Sequence, residues 1–451
     1  MKIRRREVVK NLLLASGAAA LAPSWPFGKF SSARAVLPDL PSPGNSGIDH
    51  VVVVTMENRS FDHFLGWLPN ADGKQAGLTY VDKQGVAHST YSLSGDYTGC
   101  PHPDPDHSYD GARIQYDAGK MDGFLLDTAN DIYCIGYYGP KDIPFYAALA
   151  RHYTTCDRYF PSILGPTFPN RIFLHAAQTD RLSNTATLST LPTIWDRLAA
   201  AGVSANYYYN NLPFLGLWGP KYLGISRPYA DFLLSAATGT LPAVSFVDPI
   251  YTVLDDGTGN DDHPHADIRK GDRFLHDTFQ AVANGPKWAN TVFVVNFDEW
   301  GGFFEHVPPP RATAPNNVDP DLVNGKALLG FRVPTVIASP FSFGNARDPR
   351  VSAHVFDHTS VLKLIEWRWG LAPLTLRDAS SDVANLAYAL NFENPNASVP
   401  ALPVPTAPVI GAPCPSGSGG ILGAAAPTPQ TNVWSALGQF ASANGFAVNL
   451  P

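Results

Sequence analysis

The residues of this chain best suited to chemistry stand just beyond apolar runs. Val51-Val52-Val53-Val54-Thr55-Met56 is followed at once by Glu57-Asn58, and Val292-Phe293-Val294-Val295-Asn296-Phe297 by Asp298-Glu299. Three carboxylates and an amide oxygen at two strand ends form a hard, oxygen-rich set suited to a divalent cation. Singly, such acids cap helices or face solvent; as two pairs at two strand ends they point to metal. A third element, Leu164-Gly165-Pro166-Thr167-Phe168-Pro169-Asn170-Arg171, leads into a helical pattern over 172–178. Pro169 suits a first helical turn, which sets the Thr167 hydroxyl at or just before a helix N-terminus. There it is either a plain N-cap or, beside a cation that lowers its pKa, a nucleophile toward phosphate docked at the positive helix end.

Of the 13 histidines, most sit in patterns that need no special role. Three lie in polar loops without helical or strand period: His107 in Asp104-Pro105-Asp106-His107-Ser108-Tyr109, His263 in Asp261-Asp262-His263-Pro264-His265, and His306 in Phe304-Glu305-His306-Val307-Pro308. As general acids or phosphate-binding cations they would complete a phosphoryl-transfer site.

The elements that must position these groups are legible as periodicity. Apolar, β-branched runs at 50–56, 243–247, 291–297 and 333–339 read as buried strands, and 193–201, 267–283 and 359–369 as helices. The alternation implies an α/β fold with a mainly parallel sheet and helices on both faces. In such sheets functional groups collect beyond the carboxyl ends of the strands. Residues 70–140, rich in Gly, Asp, Tyr and Pro, read as a long excursion over that edge. Residues 394–431 are dense in Pro, Ala, Gly and Ser and read as an extended tail, followed by a short C-terminal helix at 433–444.

With 451 residues, 45% of them hydrophobic, the chain can bury a large core. Its formal charge of -7 includes a basic leader of net +6, so the remainder carries about -13, which argues against nucleic acid as a partner. That leader joins Arg4-Arg5-Arg6 to an apolar run over 11–22 and to Ala33-Arg34-Ala35. It reads as a twin-arginine signal peptide over 1–35, with an ordinary secretory signal or an uncleaved anchor as the alternative. Export to the periplasm or beyond follows, with 36–393 as the catalytic domain and 394–451 as the tail. Four cysteines lack zinc-site spacing and allow up to two disulfides, Cys100–Cys134 being the preferred pair.

Seven segments carry a family resemblance. They are Glu57-Asn58-Arg59-Ser60-Phe61-Asp62-His63, Asp104-Pro105-Asp106-His107-Ser108, Gly119-Lys120-Met121-Asp122-Gly123-Phe124, Gly165-Pro166-Thr167 with Pro169-Asn170-Arg171, Asp262-His263-Pro264, Phe297-Asp298-Glu299 through His306-Val307-Pro308, and Phe356-Asp357-His358-Thr359-Ser360. Standing in that order over residues 48 to about 370, they resemble the bacterial phosphoesterases that include phosphocholine-preferring phospholipases C, plant non-specific phospholipases C and related acid phosphatases. The resemblance implies an alkaline-phosphatase-like core in which Glu57, Asn58, Asp298 and Glu299 hold one divalent metal, with Thr167 as ligand and nucleophile. It implies a phospho-threonine intermediate, with His107, His263 and His306 orienting phosphate oxygens or protonating the leaving group, and Asn170 and Asp262 contacting substrate. All-oxygen ligation favours calcium, magnesium or manganese over zinc.

Threonine in Gly-Pro-Thr-x-Pro-Asn-Arg resembles the phospholipase C branch, whereas the acid phosphatase branch tends to carry serine. The expected substrate is therefore a phospholipid, with a phosphomonoester at the same site as the alternative. Soluble phosphate esters and peripheral membrane contact fit as well, and no protein partner is implied. Tyr137, Tyr138 and the Tyr207-Tyr208-Tyr209 run are open to two readings, a cation-π cage for choline or core packing.

Overall fold

Four consecutive valines leave the chain at 51–54 little choice but an extended strand, and all seven residues of His50–Met56 are buried. This strand lies inside the central sheet of the computed structural model, which describes residues 39–127, 129–253, 257–408, 414 and 429–449. The sheet comprises β1 (His50–Met56), β2 (Thr154–Cys156), β3 (Ala205–Tyr209), β4 (Ser226–Pro228), β5 (Val244–Val247), β6 (Thr291–Phe297), β7 (Val336–Ala338) and β8 (Val351–Ser352). Its order is β8-β2-β7-β6-β1-β5-β3-β4. Strand β1 pairs in parallel with β6 and β5, and β5-β3-β4 continue in parallel. Among the described residues β7 alone runs antiparallel to its neighbours, β6 and β2. The expected mainly parallel α/β sheet is thus present. The run expected at 333–339 shrinks to Val336–Ala338 because Pro334 and Pro340 flank it and withhold ladder donors.

The covering helices are α1 (Pro144–His152), α2 (Thr167–Ala176), α3 (Ile194–Ala200), α4 (Tyr229–Thr238), α5 (Ile268–Ala283) and α6 (His358–Trp369). Helices α1 and α4 pack on α5, while α3 and α6 pack on α2. These two groups suit a sheet buried on both faces. None of the described helices is long and apolar enough to cross a membrane.

Between β1 and α1 the chain makes the expected excursion, which includes a short hairpin (Thr79–Val81 with Ala87–Ser89) and the helix Tyr109–Tyr116. An apolar cluster of its own, including Tyr80, Phe124, Trp300, Phe304 and Phe331, ties this excursion to the segment after β6. Trp300 Nε1 donates to Gln115 Oε1 at 2.8 Å within it.

The C-terminal helix α7 (Pro429–Ala443) packs against 214–225. Cys414, in the tail before it, is bonded to Cys100, which corrects the expected Cys100–Cys134 pair. Cys134 is instead buried in the excursion's apolar cluster and is free, as is buried Cys156. The proposed signal peptide lies outside the described residues. The disulfide spans 314 residues of sequence, so Cys100→Ser or Cys414→Ser should each lower unfolding free energy by about 2–5 kcal/mol. Urea denaturation of the oxidised protein should show the same loss for each variant and no further loss for the double variant.

Candidate active site

The parallel register of β1 and β6 pairs Met56 with Phe297, so Glu57 and Asp298 leave the sheet at the same level. Strand β5, on the other side of β1, delivers Asp248 to the same edge. All three acids are buried. Arg171, projecting from α2, answers their charge. Its Nε donates to Asp298 Oδ2 at 2.9 Å, and Nη1 to Asp248 Oδ1 at 3.0 Å and Tyr251 Oη at 2.6 Å. Its Nη2 donates to the carbonyls of Thr55 and Met56 at 3.2 and 3.3 Å and stands 3.4 Å from Glu57 Oε1. A planar five-donor guanidinium can serve so many acceptors at once; an ammonium cannot. The sequence pattern quotes Arg171 but gives it no role, and Asp248 goes unnoticed. The available signal was an arginine buried in an otherwise apolar helix.

Asp298 is fixed on every side. Its Oδ1 accepts the amides of Asn58 at 3.2 Å and Glu299 at 2.7 Å, and its carbonyl accepts from His358 Nε2 at 2.8 Å. Asn58 takes a left-handed φ of 61°, a conformation asparagine tolerates better than most residues. Gly301, at φ 64°, passes so close that a Cβ there would lie 2.1 Å from the Asn58 carbonyl oxygen. Only glycine fits that crossing.

Thr167 is the first residue of α2 and fully buried. The N-cap position belongs to Pro166, and among the described residues the Thr167 hydroxyl bonds Asn58 and makes no capping bond. The plain N-cap reading is therefore excluded. Its Oγ1 lies 3.5 Å from Asn58 Oδ1. His107 faces the same group: its Nδ1 donates to the Pro105 carbonyl at 2.8 Å, leaving Nε2 3.4 Å from Asn58 Nδ2 and 3.8 Å from Glu299 Oε1. His263 is held likewise, Nδ1 donating to its neighbour Pro264's carbonyl at 2.8 Å, with Nε2 3.9 Å from Asp104 Oδ2. The two imidazole rings meet edge to face at 5.8 Å.

Other expected site residues are placed differently. Asn170 spends its side-chain amide on the turn before Thr167, bonding the carbonyls of Ile163, Gly165 and Pro166 and the Ile163 amide at 2.8–3.2 Å. It shapes the loop rather than reaching outward to substrate. Asp262, at φ 72°, packs its carboxylate against Gly271 of α5, so it too is not brought to the acid group. His306 bonds Asp62 at 2.5 Å and Asp72 at 3.2 Å, beside an Arg332–Glu305 ion pair at 2.7 Å. That separate cluster braces the helix Phe61–Leu65. The tyrosines resolve toward packing: Tyr138 and Tyr207 through Tyr209 are buried, and the Tyr207 hydroxyl donates to Asp248.

Charge and burial shift the site's protonation. Burial and neighbouring Asp298 push Glu57 well above the usual carboxylate range, with Arg171 pulling it back. Glu299 is pushed up to about 8, mainly by burial, with the His107 charge opposing and Asp298 adding to the rise. Burial opposes the charged form of His107, yet Glu299 and Asp104 outweigh it and raise the ring to about 9. His263 falls well below its ordinary value through burial and the His107 charge.

Both carboxylate oxygens of Glu57 and Oε1 of Glu299 are buried and lack any hydrogen bond among the described residues. Buried carboxylates without donors are expensive unless a cation faces them. With Asn58 Oδ1 and Thr167 Oγ1 alongside, these residues fit a divalent ion. Two further triplets, Asp104/His107/His263 and Asp62/Glu305/His306, gather ligand atoms within 4.8 Å of one another.

Residues 48–372 match the model of the Phosphoesterase family. The chain belongs to that family. This phosphoesterase is 32% identical over 380 residues to non-specific phospholipase C6 of Arabidopsis thaliana, covering 74% of this chain and 71% of that protein. It is 30% identical over 463 residues to phospholipase C A of Mycobacterium tuberculosis, covering 87% and 86%. A Vibrio parahaemolyticus structure of the alkaline phosphatase superfamily superposes with a TM-score of 0.36 at 10% identity, covering 75% of this chain and 71% of that one; so loose a match says nothing about residue roles. The phosphoesterase is a phosphoric ester hydrolase.

Removing Arg171 strands buried acids without their counter-charge. Arg171→Gln should cost about 3–5 kcal/mol of stability, and Arg171→Lys should recover only part of it because the fork geometry is lost. Urea denaturation of the three proteins checks both expectations.

Proposed function

We propose that this phosphoesterase is a phospholipase C that releases diacylglycerol and a phosphorylated head group through a phospho-threonine at Thr167. The observation that carries the reading is the buried Thr167 hydroxyl, which makes no capping bond among the described residues and lies 3.5 Å from Oδ1 of Asn58, the neighbour of Glu57, whose two carboxylate oxygens lack hydrogen bonds there. Its relatives' names, plant non-specific phospholipase C and mycobacterial phospholipase C, support the substrate class. Glu57, Asn58, Thr167, Asp298 and Glu299 would hold one divalent ion, which would supply charge neutralisation and a lowered hydroxyl pKa; calcium, magnesium or manganese suits these oxygens better than zinc.

In this reading Thr167 gives up its hydroxyl proton to solvent, Oγ1 attacks phosphorus and the bond to the glyceride oxygen breaks. The departing alkoxide takes a proton from an imidazole. His107 is the candidate donor, since the Pro105 carbonyl holds its Nδ1–H and Glu299 and Asp104 keep the ring charged, while His263, neutral and held by the Pro264 carbonyl, orients a phosphate oxygen. Water then attacks the phospho-threonine, giving one proton back to the imidazole; the phosphorus–Thr167 bond breaks, the phosphorylated head group leaves, and the Thr167 oxygen regains its proton from solvent. Asn170 and Arg171 keep the threonine and the acids in place, and His306 holds the neighbouring helix without touching the reacting atoms. The twin-arginine pattern in 1–35 supports export to the periplasm or beyond, where the Cys100–Cys414 bond would persist.

Metal-loaded protein assayed on phosphatidylcholine vesicles and on a soluble phosphomonoester should release phosphocholine from the first. Turnover confined to the monoester would instead make the enzyme an acid phosphatase at the same site. Thr167→Ala should lose about 10³-fold or more in kcat, and a Thr167→Ala variant that keeps its turnover rules out the covalent route. Chelation should abolish turnover while the far-UV spectrum stays unchanged, with activity returning on addition of one of the three hard cations. Full activity after rigorous metal removal would end the metal-dependent reading.

A further inference from the structure

The family match ends at residue 372, yet the chain beyond it returns to the site. Trp434, on α7, is 1% exposed. Its ring stacks on Tyr251, with centroids 4.3 Å apart and planes 23° from parallel, and meets Phe168 edge-on at 5.2 Å. Both contacts lead inward. The Tyr251 hydroxyl accepts from Arg171 Nη1 at 2.6 Å, and the guanidinium carbon lies 4.9 Å from the Tyr251 ring centroid. Phe168 is the residue directly after Thr167.

The segment that carries Trp434 is fastened at several points. The Tyr209 hydroxyl donates to the Ala447 carbonyl at 2.9 Å, and the Asn449 amide donates to the Asn211 carbonyl at 3.0 Å. The Asn211 side chain in turn grips the Tyr251 backbone, accepting from its amide and donating to its carbonyl at 2.9 Å each. Upstream, Cys414 is bonded to Cys100, a few residues before Asp104 and His107.

We propose that Trp434 is a positioning residue for the hydrolytic reaction, walling the Arg171–Tyr251 pair from water and fixing the Phe168 ring that follows Thr167. Arg171 serves Asp298, Asp248 and Glu57 from one position, so a tilt of Tyr251 would move the charge on which all three depend. Water admitted at that wall would also weaken each of those ion pairs by raising the local dielectric. A displacement of about 1 Å in such a constellation costs on the order of 100-fold in rate. Ordinary core packing is the competing role, and Leu437, also fully buried on α7, is the comparison residue for it.

The inference rests on Thr167 acting as nucleophile. Steady-state kinetics on a chromogenic phosphodiester, with the metal-loaded full chain, test it in Trp434→Ala, Trp434→Phe, Leu437→Ala and Tyr251→Phe. Trp434→Ala should lower kcat about 10- to 100-fold while KM moves less than about threefold, and Trp434→Phe should restore kcat to within about threefold. Leu437→Ala should lower the melting temperature but keep kcat. Cation affinity, read by chelator competition, should fall in Trp434→Ala and hold in Leu437→Ala.

Should Trp434→Ala fail to fold, Tyr251→Phe carries the test, since it keeps the ring and deletes the Arg171 acceptor; kcat should fall about tenfold or more. The inference is overturned if folded Trp434→Ala keeps kcat, if Trp434→Phe restores nothing, if Leu437→Ala loses as much kcat as Trp434→Ala, or if Tyr251→Phe turns over normally. Failure of the nucleophile reading is separately visible as an active Thr167→Ala.

Discussion

Parallel pairing of two strands in register brings acids of like charge to one buried edge, and the rest of the site is an answer to that repulsion. Two unit charges about 4 Å apart at an effective dielectric near 20 repel by roughly 4 kcal/mol. Arg171 supplies one positive charge, and its five N–H groups are all committed: Nε to Asp298, Nη1 to Asp248 and Tyr251, Nη2 to two carbonyls of β1. Glu57 therefore feels the charge at 3.4 Å but receives no hydrogen bond. The guanidinium neutralises the side of the cluster nearest the sheet and leaves both Glu57 oxygens and Glu299 Oε1 without a hydrogen bond among the described residues. A divalent ion is the simplest group that satisfies both.

Local strain holds the same geometry. At the end of β1 the chain must turn sharply, and Asn58 does so at a positive φ while its amide donates to Asp298. Gly301 and Gly302, both at positive φ, let the segment after β6 fold back over that turn. Strained backbone of this kind persists only where the surroundings over-determine it. Here the surroundings are the Asp298 bonds, the excursion's apolar cluster and the Trp300–Gln115 bond.

Much of this was legible in the sequence because it depended on local pattern. Strands β1 and β6 have the expected bounds, since each is a continuous β-branched or aromatic run. The acids after them follow from those bounds, and Thr167 from the proline that marks the start of α2. What escaped depended on partners distant in sequence. Asn170 and Asp262 look like substrate contacts until the carbonyls and the glycine that occupy them are seen. His306 sits in a plausible loop, but its acids come from the excursion and from the helix after β1. Cys414 finds Cys100 across 314 residues, a closure that spacing alone does not reveal. Arg171 was visible as a residue, yet its role exists only once three strand ends converge.

The start of α2 shows why the Thr167 hydroxyl is not consumed in capping. A helix leaves its first N–H groups without internal partners, and a hydroxyl at that point is normally consumed in capping them. In this chain the Phe168 amide is capped by Asn184 Oδ1 at 2.8 Å, Pro169 has no N–H, and the Asn170 amide already reaches the Pro166 carbonyl. The capping demand is met by others, so Thr167 Oγ1 is released from it and points to Asn58. Proline at the third helical position and a remote asparagine thus do for the threonine hydroxyl what Arg171 does for the acids. Each takes up a competing interaction, so that the oxygen left over has one neighbour to face.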